Sequence, residues 1–349
     1  MQIGWIQALE FRNYPALTWS PSPKLNVLIG PNAQGKTNLL EALGFLVTGR
    51  SFRTTRLSEI PRWGAEQAGV VGELGRADAR RVVRRVLERS AAGTWQVSGE
   101  ECAWARVVAF GWQDVEILHG APAVRRLFLD GFAARLYPAH RPALQRYRQL
   151  VTRRNELLQR RAPAAALAPW DEQLAQVGME VVGRRRRAVA ALQTEVARLL
   201  PALTGHGHKV ELRYRSSVGE AVEPEALRAA LEQGRALEWR WGRTLVGPHR
   251  DDLAIEVDGV DLRRYGSRGQ QRLVALGLRL AEVLPITEAT GTAPVLLLDD
   301  ALSELDARAR EHVLREIEGA EQVFLTTPEP LAATAGARWV VHGGGLTAA

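Results

Sequence analysis

Apolar and polar positions alternate in short runs from Ile3 to Trp19, with turn residues at Asn13-Tyr14-Pro15 and Pro21-Ser22-Pro23. This pattern predicts paired β-strands. Leu25-Asn26-Val27-Leu28-Ile29 reads as a further strand, and Asn38-Leu39-Leu40-Glu41-Ala42-Leu43 as the opening of a helix. Strand-like runs follow at Ala68 to Leu74, Arg81 to Leu87, Thr94 to Val97 and Val107 to Phe110. From about Gly131 to Gly242 the period changes. Leu144, Leu150 and Leu157-Leu158, then Val177, Val181, Val189, Leu192, Val196 and Leu199-Leu200, recur at helical spacing, with breaks near Pro163 to Pro169 and Pro201 to Gly207. Two or three long helices are expected there. Leu273, Leu276, Leu280 and Leu284 then mark an amphipathic helix, and Val295 to Leu298 and Phe324 to Thr327 read as strands.

Between the strand at Leu25 and the helix at Asn38 stands Gly30-Pro31-Asn32-Ala33-Gln34-Gly35-Lys36-Thr37, which is G-x-x-x-x-G-K-T. Strand, loop and helix in that order are the setting of a phosphate-binding P-loop. Its backbone N–H groups curl around a polyphosphate and the helix N-terminus adds positive charge, here extending to Asn38. Lys36 is placed to reach the β- and γ-phosphates, and the Thr37 hydroxyl to hold Mg²⁺. Lysine occurs only at 24, 36 and 209 among 46 basic residues, so one of three occupies the position where a compact ammonium suits better than a planar guanidinium.

Val295-Leu296-Leu297-Leu298-Asp299-Asp300 supplies the expected second half of such a site: a buried parallel strand that delivers Asp299 to Mg²⁺. Asp300, one residue on, is placed to orient or deprotonate the attacking water. Gln113, just past the strand Val107 to Phe110, is a candidate for sensing the γ-phosphate or the metal. Because the two motifs must meet at one metal, both termini are expected to form one α/β head. The expected division is residues 1–130 and 243–349 for the head and 131–242 for an inserted helical arm. Arg12 and Tyr14 are candidates for contact with a nucleotide base, an edge hairpin with a solvated arginine being the alternative. Gly49 to Arg56 is either a nucleotide or nucleic-acid contact or a solvated loop.

At 349 residues and 46% hydrophobic content the chain can bury a large core. A single cysteine, Cys102, excludes an internal disulfide. No basic-then-apolar leader opens the chain and no run approaches the ~20 apolar residues of a membrane span, so a soluble cytoplasmic protein is expected. Residues 131–242 carry 19 basic and 11 acidic side chains, which concentrates the whole +7 net charge of the protein in the arm. Arg153-Arg154, Arg160-Arg161 and Arg184-Arg185-Arg186-Arg187 are its densest clusters. They suit contact with DNA phosphates or form a solvated basic face; four consecutive arginines cover every face of a helix, so some must serve pairing or packing.

Ser267-Arg268-Gly269-Gln270, ahead of the helix with Leu273, has the S-x-G-Q pattern that resembles the signature loop of ABC-type ATPases. That resemblance implies that Ser267, Gly269 and Gln270 reach the nucleotide on the P-loop of a second subunit. It further implies that Asp306 in Ser303-Glu304-Leu305-Asp306 belongs to a D-loop, and that Thr327 stands where many members keep a histidine. Beyond the superfamily, Phe11-Arg12-Asn13-Tyr14, Gly49-Arg50-Ser51-Phe52-Arg53-Thr54, Arg125-Arg126-Leu127-Phe128-Leu129-Asp130, Arg154-Asn155-Glu156-Leu157-Leu158, Gly247-Pro248-His249-Arg250-Asp251-Asp252 and Gly266-Ser267-Arg268-Gly269-Gln270-Gln271-Arg272 together resemble the RecF family of bacterial recombination mediators over the full length. The chain departs from that family at Trp112-Gln113-Asp114, where Pro-Glu-Asp is usual, and at Arg268, where Gln is commoner. The resemblance implies an ATP-dependent homodimer on single-stranded or gapped DNA that acts with RecR to promote RecA loading in gap repair and the SOS response. Its ATPase would be weak, DNA-stimulated and used as a switch. An ATP-binding interaction module without turnover and a P-loop kinase are the alternatives. For the Gly247 to Asp252 loop, a subunit interface and a tie between arm and head both remain open.

Overall fold

The computed structural model describes residues 1–205, 208–262, 267–331 and 336–349. In chain order the elements are β1 (Gln2–Phe11), β2 (Tyr14–Trp19), β3 (Leu25–Ile29), α1 (Lys36–Thr48), β4 (Gln67–Arg76), β5 (Ala79–Arg89), β6 (Trp95–Gly99) and β7 (Val107–Phe110). Then come α2 (Glu116–His119), α3 (Pro122–Leu136), α4 (His140–Gln159), α5 (Ala164–Thr204), β8 (Val210–Arg215), α6 (Pro224–Trp241), β9 (Asp252–Val257) and β10 (Val260–Asp261). The chain closes with α7 (Arg268–Leu280), α8 (Val283–Thr290), β11 (Val295–Leu298), α9 (Ala307–Glu318), β12 (Val323–Thr327), β13 (Ala337–His342) and β14 (Gly345–Ala348).

Two compact units result. The first joins Met1–Val115 to Arg268–Ala349, with a short stretch from Ala202; the second holds Glu116–Pro201 and His208–Ser267. The divisions therefore fall at 115/116 and 267/268 rather than at 130/131 and 242/243. The reason is pairing: Arg125 of α3 grips Asp252 of β9, and β9 is the central strand of the sheet β10-β9-β8, so α3 and the strands cannot leave the second unit. Strand β8 lies in the region whose periodicity predicts helices alone, whereas β9 and β10 come from the stretch expected to belong to the head. Val210, Leu212 and, partly, Tyr214 do alternate inward along β8.

The first unit contains a six-stranded sheet, β14-β13-β3-β12-β11-β7, and a five-stranded antiparallel sheet, β2-β1-β4-β5-β6. The strands β3, β12, β11 and β7 run parallel, with Ile29 beside Thr327 and Leu298 beside both Leu325 and Phe110. Their C-terminal ends thus form one edge, the place where open α/β sheets receive ligands. Helix α1 lies over this core with Leu39, Leu40, Leu43, Phe45 and Leu46 fully buried. It starts after Gly35 and stops at Gly49, whose left-handed φ of 66° lets its N–H return to the Phe45 carbonyl. The guanidinium of buried Arg85 packs by this end and donates to the Leu46 carbonyl, placing a cation at the negative pole of the helix.

Candidate nucleotide site

At the opposite pole of α1, no side chain caps the helix, so its first-turn N–H groups have no acceptor within the helix. The loop before it is braced from outside. Tyr14 Oη donates to the Gly35 carbonyl at 3.1 Å, Asn13 Nδ2 to the Gln34 carbonyl at 3.2 Å, and Asn38 Nδ2 to Asn13 Oδ1 at 2.7 Å. Gln34 Oε1 accepts the Gly343 N–H at 2.9 Å. A β-carbon on Gly35 would lie 2.5 Å from Asn13 Nδ2, and its φ of 113° is one that side chains rarely tolerate, so glycine is required. One on Gly30 would strike the Val341 carbonyl at 2.4 Å. Pro31, Asn32 and Ala33 are exposed at the rim.

Lys36 is buried and its ammonium donates to the carbonyls of Gly30 at 2.6 Å and Pro31 at 2.8 Å. Burial pulls its pKa down, while the charges of Asp300 and Asp299 oppose that shift. Thr37 Oγ1 lies 2.8 Å from Asp299 Oδ1, across 262 positions of sequence. Burial raises the Asp299 carboxyl pKa, and the Thr37 and Thr326 hydroxyls pull against it. A hydroxyl and a carboxylate side by side at a P-loop are hard oxygen donors of the kind that leave room for phosphate oxygens on Mg²⁺.

Thr326, which the motifs do not single out, organises the acidic pair. Its Oγ1 lies 3.0 Å from Asp299 Oδ1 and accepts the Asp300 N–H at 2.7 Å. Asp300 sits at a left-handed φ of 52°. Its carbonyl accepts from Arg272 and from Ser303, so both sides of the strained residue are tied down. The signal that finds Thr326 is topological: β12 lies between β3 and β11, which puts its last residues between Thr37 and Asp299. Thr326→Val, which keeps the shape and removes the hydroxyl, is expected to lower the ATP hydrolysis rate about tenfold or more with little change in KM, and Thr326→Ser to restore it. Steady-state kinetics on the three proteins make the comparison; equal rates would remove the positioning role.

Other expected residues are placed differently. Arg12, at φ 53°, is committed to buried Glu41, with Nε 2.8 Å from Oε2 and the NH2 group 2.7 Å from Oε1. It is thus not a solvated edge residue. Arg53 and Ser51 bond the same carboxylate, so Gly49 to Thr54 is fastened to the P-loop helix rather than loose in solvent. Gln113 Nε2 donates to the Phe52 carbonyl at 2.8 Å and so joins that segment to the end of β7. Ser267 is exposed immediately before α7, Gly269 and Gln270 lie in its first turn, and Gly266 falls outside the described residues. Asp306 caps α9 by accepting the Ala309 N–H at 2.8 Å. Thr327 Oγ1 bonds the Glu329 backbone.

In the second unit the four-arginine run is consumed by its own fold. Arg184 pairs with Glu180, and Arg185 is buried against Asp130. Arg186 donates to the carbonyls of residues 219–221, and Arg187 lies over the Tyr137 ring. Arg154 is likewise buried between Asp171 and Glu238. Three residues of the loop Gly247 to Asp252 are engaged inside this unit, Asp252 with Arg125, Asp251 with Tyr214 and the Ser217 N–H, and His249 with Tyr147, while Arg250 is exposed.

A P-loop with an uncapped helix, a carboxylate strand separated from it by one strand, and a signature-type helix after an inserted unit define an ABC-type P-loop ATPase head bearing a mainly helical insertion. Residues 2–336 match the family model described as RecF/RecN/SMC N terminal domain. The chain belongs to the RecF family of DNA replication and repair proteins. It is 38% identical over 360 residues to the protein of that name from Desulforudis audaxviator, covering 99% of both chains. It is 39% identical over 342 residues to the one from Symbiobacterium thermophilum, covering 93% of this chain and 91% of the other. A solved structure titled as the recombination mediator protein RecF-ATP in the RecFOR pathway superposes with a TM-score of 0.89 at 29% identity, over 100% of this chain and 97% of that one. An Smc head bound to the C-winged helix domain of ScpA shares the fold, at a TM-score of 0.58 and 16% identity. No described helix is long and apolar enough to cross a membrane.

Proposed function

We propose that this chain is an ATP-dependent DNA-binding recombination mediator whose slow, DNA-stimulated ATP hydrolysis works as a switch. The observation that carries the reading is the meeting of Thr37, Asp299 and Thr326 beside the uncapped N-terminus of α1. Thr37 and Asp299 would hold Mg²⁺, which when bound screens the charge of the phosphates. Lys36 and the N–H groups of the loop bind the phosphates, and Asp300 orients the attacking water and takes its proton. Gln113, on its tether to Phe52, reports nucleotide occupancy to the Gly49 to Thr54 segment.

Ser267, Gly269 and Gln270 of a second copy close over the γ-phosphate, with Asp306 beside the same interface, so ATP joins two chains into a clamp on single-stranded or gapped DNA. The ATP-bound form engages RecR and through it promotes RecA loading in gap repair and the SOS response; hydrolysis reopens the clamp. Closure of this kind needs differential affinity of ATP for the dimer, which sets the test. Light scattering without nucleotide, with ADP, and with ATP or a slowly hydrolysed analogue, repeated on a gapped duplex, is expected to give a dimer with ATP only. DNA binding should tighten in the same samples. A monomer indifferent to ATP and DNA would remove the clamp. Ser267→Arg is expected to spare ATP binding by the monomer and weaken the ATP-dependent dimer about tenfold or more, equivalent to about 1.4 kcal/mol. Normal dimerisation of that variant would refute the signature contact.

A further inference from the structure

Three of the ten tryptophans are exposed: Trp63 at 99%, Trp112 at 65% and Trp241 at 58%. Trp241 is covered on one face by the Arg243 guanidinium, 5.4 Å from the ring centre. Trp63 sits on the turn Arg62 to Ala65, tied to the end of β1 through the Arg62 N–H and the Glu10 carbonyl. Trp112 is the one at the nucleotide site. Strand register puts it there. Phe110, the last residue of β7, is paired with Leu298, the last of β11, and the Asp299 N–H donates to the Phe110 carbonyl at 2.9 Å. Trp112 and Asp300 therefore leave adjacent strands at the same level, each two residues past that pair, on the edge that carries the P-loop and the acidic pair.

The turn that bears the indole is anchored around it. Buried Asp114 accepts the Gly111 N–H at 2.8 Å and is gripped by Arg279 of α7 at 2.6 Å, and Gln113 donates to the Phe52 carbonyl at 2.8 Å. With these neighbours committed, Trp112 is presented on a fixed backbone and needs little further ordering to meet a partner. An indole gains more than almost any side chain by leaving water, and rigid aromatic anchors of this kind dominate protein interfaces. The charge beside it selects the partner. Asp299 and Asp300 repel a nucleic-acid backbone, and the phosphates of a nucleotide offer no apolar surface, so the ring calls for polypeptide. We infer that Trp112 is an anchor of the ATP-joined dimer, its ring covered by a second copy of this chain as that copy closes over the γ-phosphate. This rests on the dimer proposed above and gives it a contact besides Ser267, Gly269, Gln270 and Asp306. The ring adds to the affinity of one head for the other and not to the grip on the phosphates, so it acts on how long the closed state lasts.

Hydroxyl-radical footprinting read by mass spectrometry follows each tryptophan separately. On the full chain, without nucleotide, with ADP and with a slowly hydrolysed ATP analogue, oxidation of Trp112 is expected to slow several-fold only where light scattering shows a dimer. Trp63, exposed but away from the strand ends, should keep its rate in all three and serves as the internal reference. Trp112→Ala is expected to weaken the ATP-dependent dimer about 30-fold or more, the loss that marks an interface hot spot, while ATP binding by the monomer is unchanged. Trp112→Phe, which keeps part of the apolar contact, should fall between. Equal oxidation of Trp112 in monomer and dimer would overturn the assignment. So would protection by the analogue at protein concentrations that still give a monomer, which would put the nucleotide over the ring, and protection by gapped DNA without nucleotide, which would give the ring to DNA. Failure of the unsubstituted protein to dimerise with the analogue would instead reject the proposed clamp itself.

Discussion

Asp300→Asn is expected to slow ATP hydrolysis by about 10² to 10⁴, the range a positioned general base contributes, while leaving ATP binding within about twofold. Asparagine is the informative replacement because Asp300 occupies a left-handed φ of 52°, a conformation that asparagine accepts and most residues do not. The backbone anchors are indifferent to the change: Thr326 Oγ1 holds the N–H, and Arg272 and Ser303 hold the carbonyl. What is lost is the carboxylate charge that helps to support the buried Lys36 cation and would receive the proton of water. Under the proposed clamp, in which hydrolysis reopens the dimer, the same substitution should prolong the ATP-bound dimer. Single-turnover phosphate release and light scattering after a limited ATP pulse measure the two effects. Undiminished hydrolysis would move the base to another residue, and slowed hydrolysis with no longer-lived dimer would separate turnover from opening.

The parts of this site that sequence makes legible are those whose chemistry is local. A P-loop is eight consecutive residues between a strand and a helix, and the Asp299 strand is four apolar residues ending in a carboxylate. Thr326 escapes such a reading because its role depends on the order β3-β12-β11, which no local pattern encodes. Arg12 escapes it for a different reason. Its partner Glu41 lies 29 positions away inside an apolar helix, where a single polar residue reads as a solvent position although it is fully buried. The cluster Arg184 to Arg187 is legible as charge but not as structure. Successive residues of a helix point about 100° apart, so each meets a different neighbour, and the densest cationic run of the chain is engaged throughout. On α4 Arg146 and Arg153, seven residues apart, share one side of the helix and are both exposed, whereas Arg154, one residue on, is buried.

Arg185→Met is expected to destabilise the protein by about 3 to 5 kcal/mol, because it removes one partner of a buried ion pair and strands the other. The Arg185 guanidinium grips Asp130 twice, with Nε 2.8 Å from Oδ1 and the NH2 group 2.9 Å from Oδ2, and donates to the Pro248 carbonyl at 2.6 Å. His140 Nε2 lies 2.9 Å from the same Oδ1. Burial by itself would push the Asp130 carboxyl up, but the hydrogen bonds from His140 and Arg185 outweigh it and hold the group below its ordinary value of 3.8. A carboxyl depressed in the folded state stabilises fully above its unfolded value, and that contribution is lost as pH falls through the lower folded value. The wild-type protein should therefore lose this stabilisation only below about pH 4. In Arg185→Met the remaining buried carboxyl should titrate higher, so the deficit should be largest near neutrality and shrink on acidification. Asp130→Asn/Arg185→Met should be less destabilised than the sum of the two single changes, since neither variant group is then a stranded charge. Denaturant unfolding of the four proteins at about pH 7 and about pH 4, on either side of that titration, tests this. Additive losses with no pH dependence would mean that Arg185 contributes through its packing, and that the Asp130 charge is stabilised elsewhere.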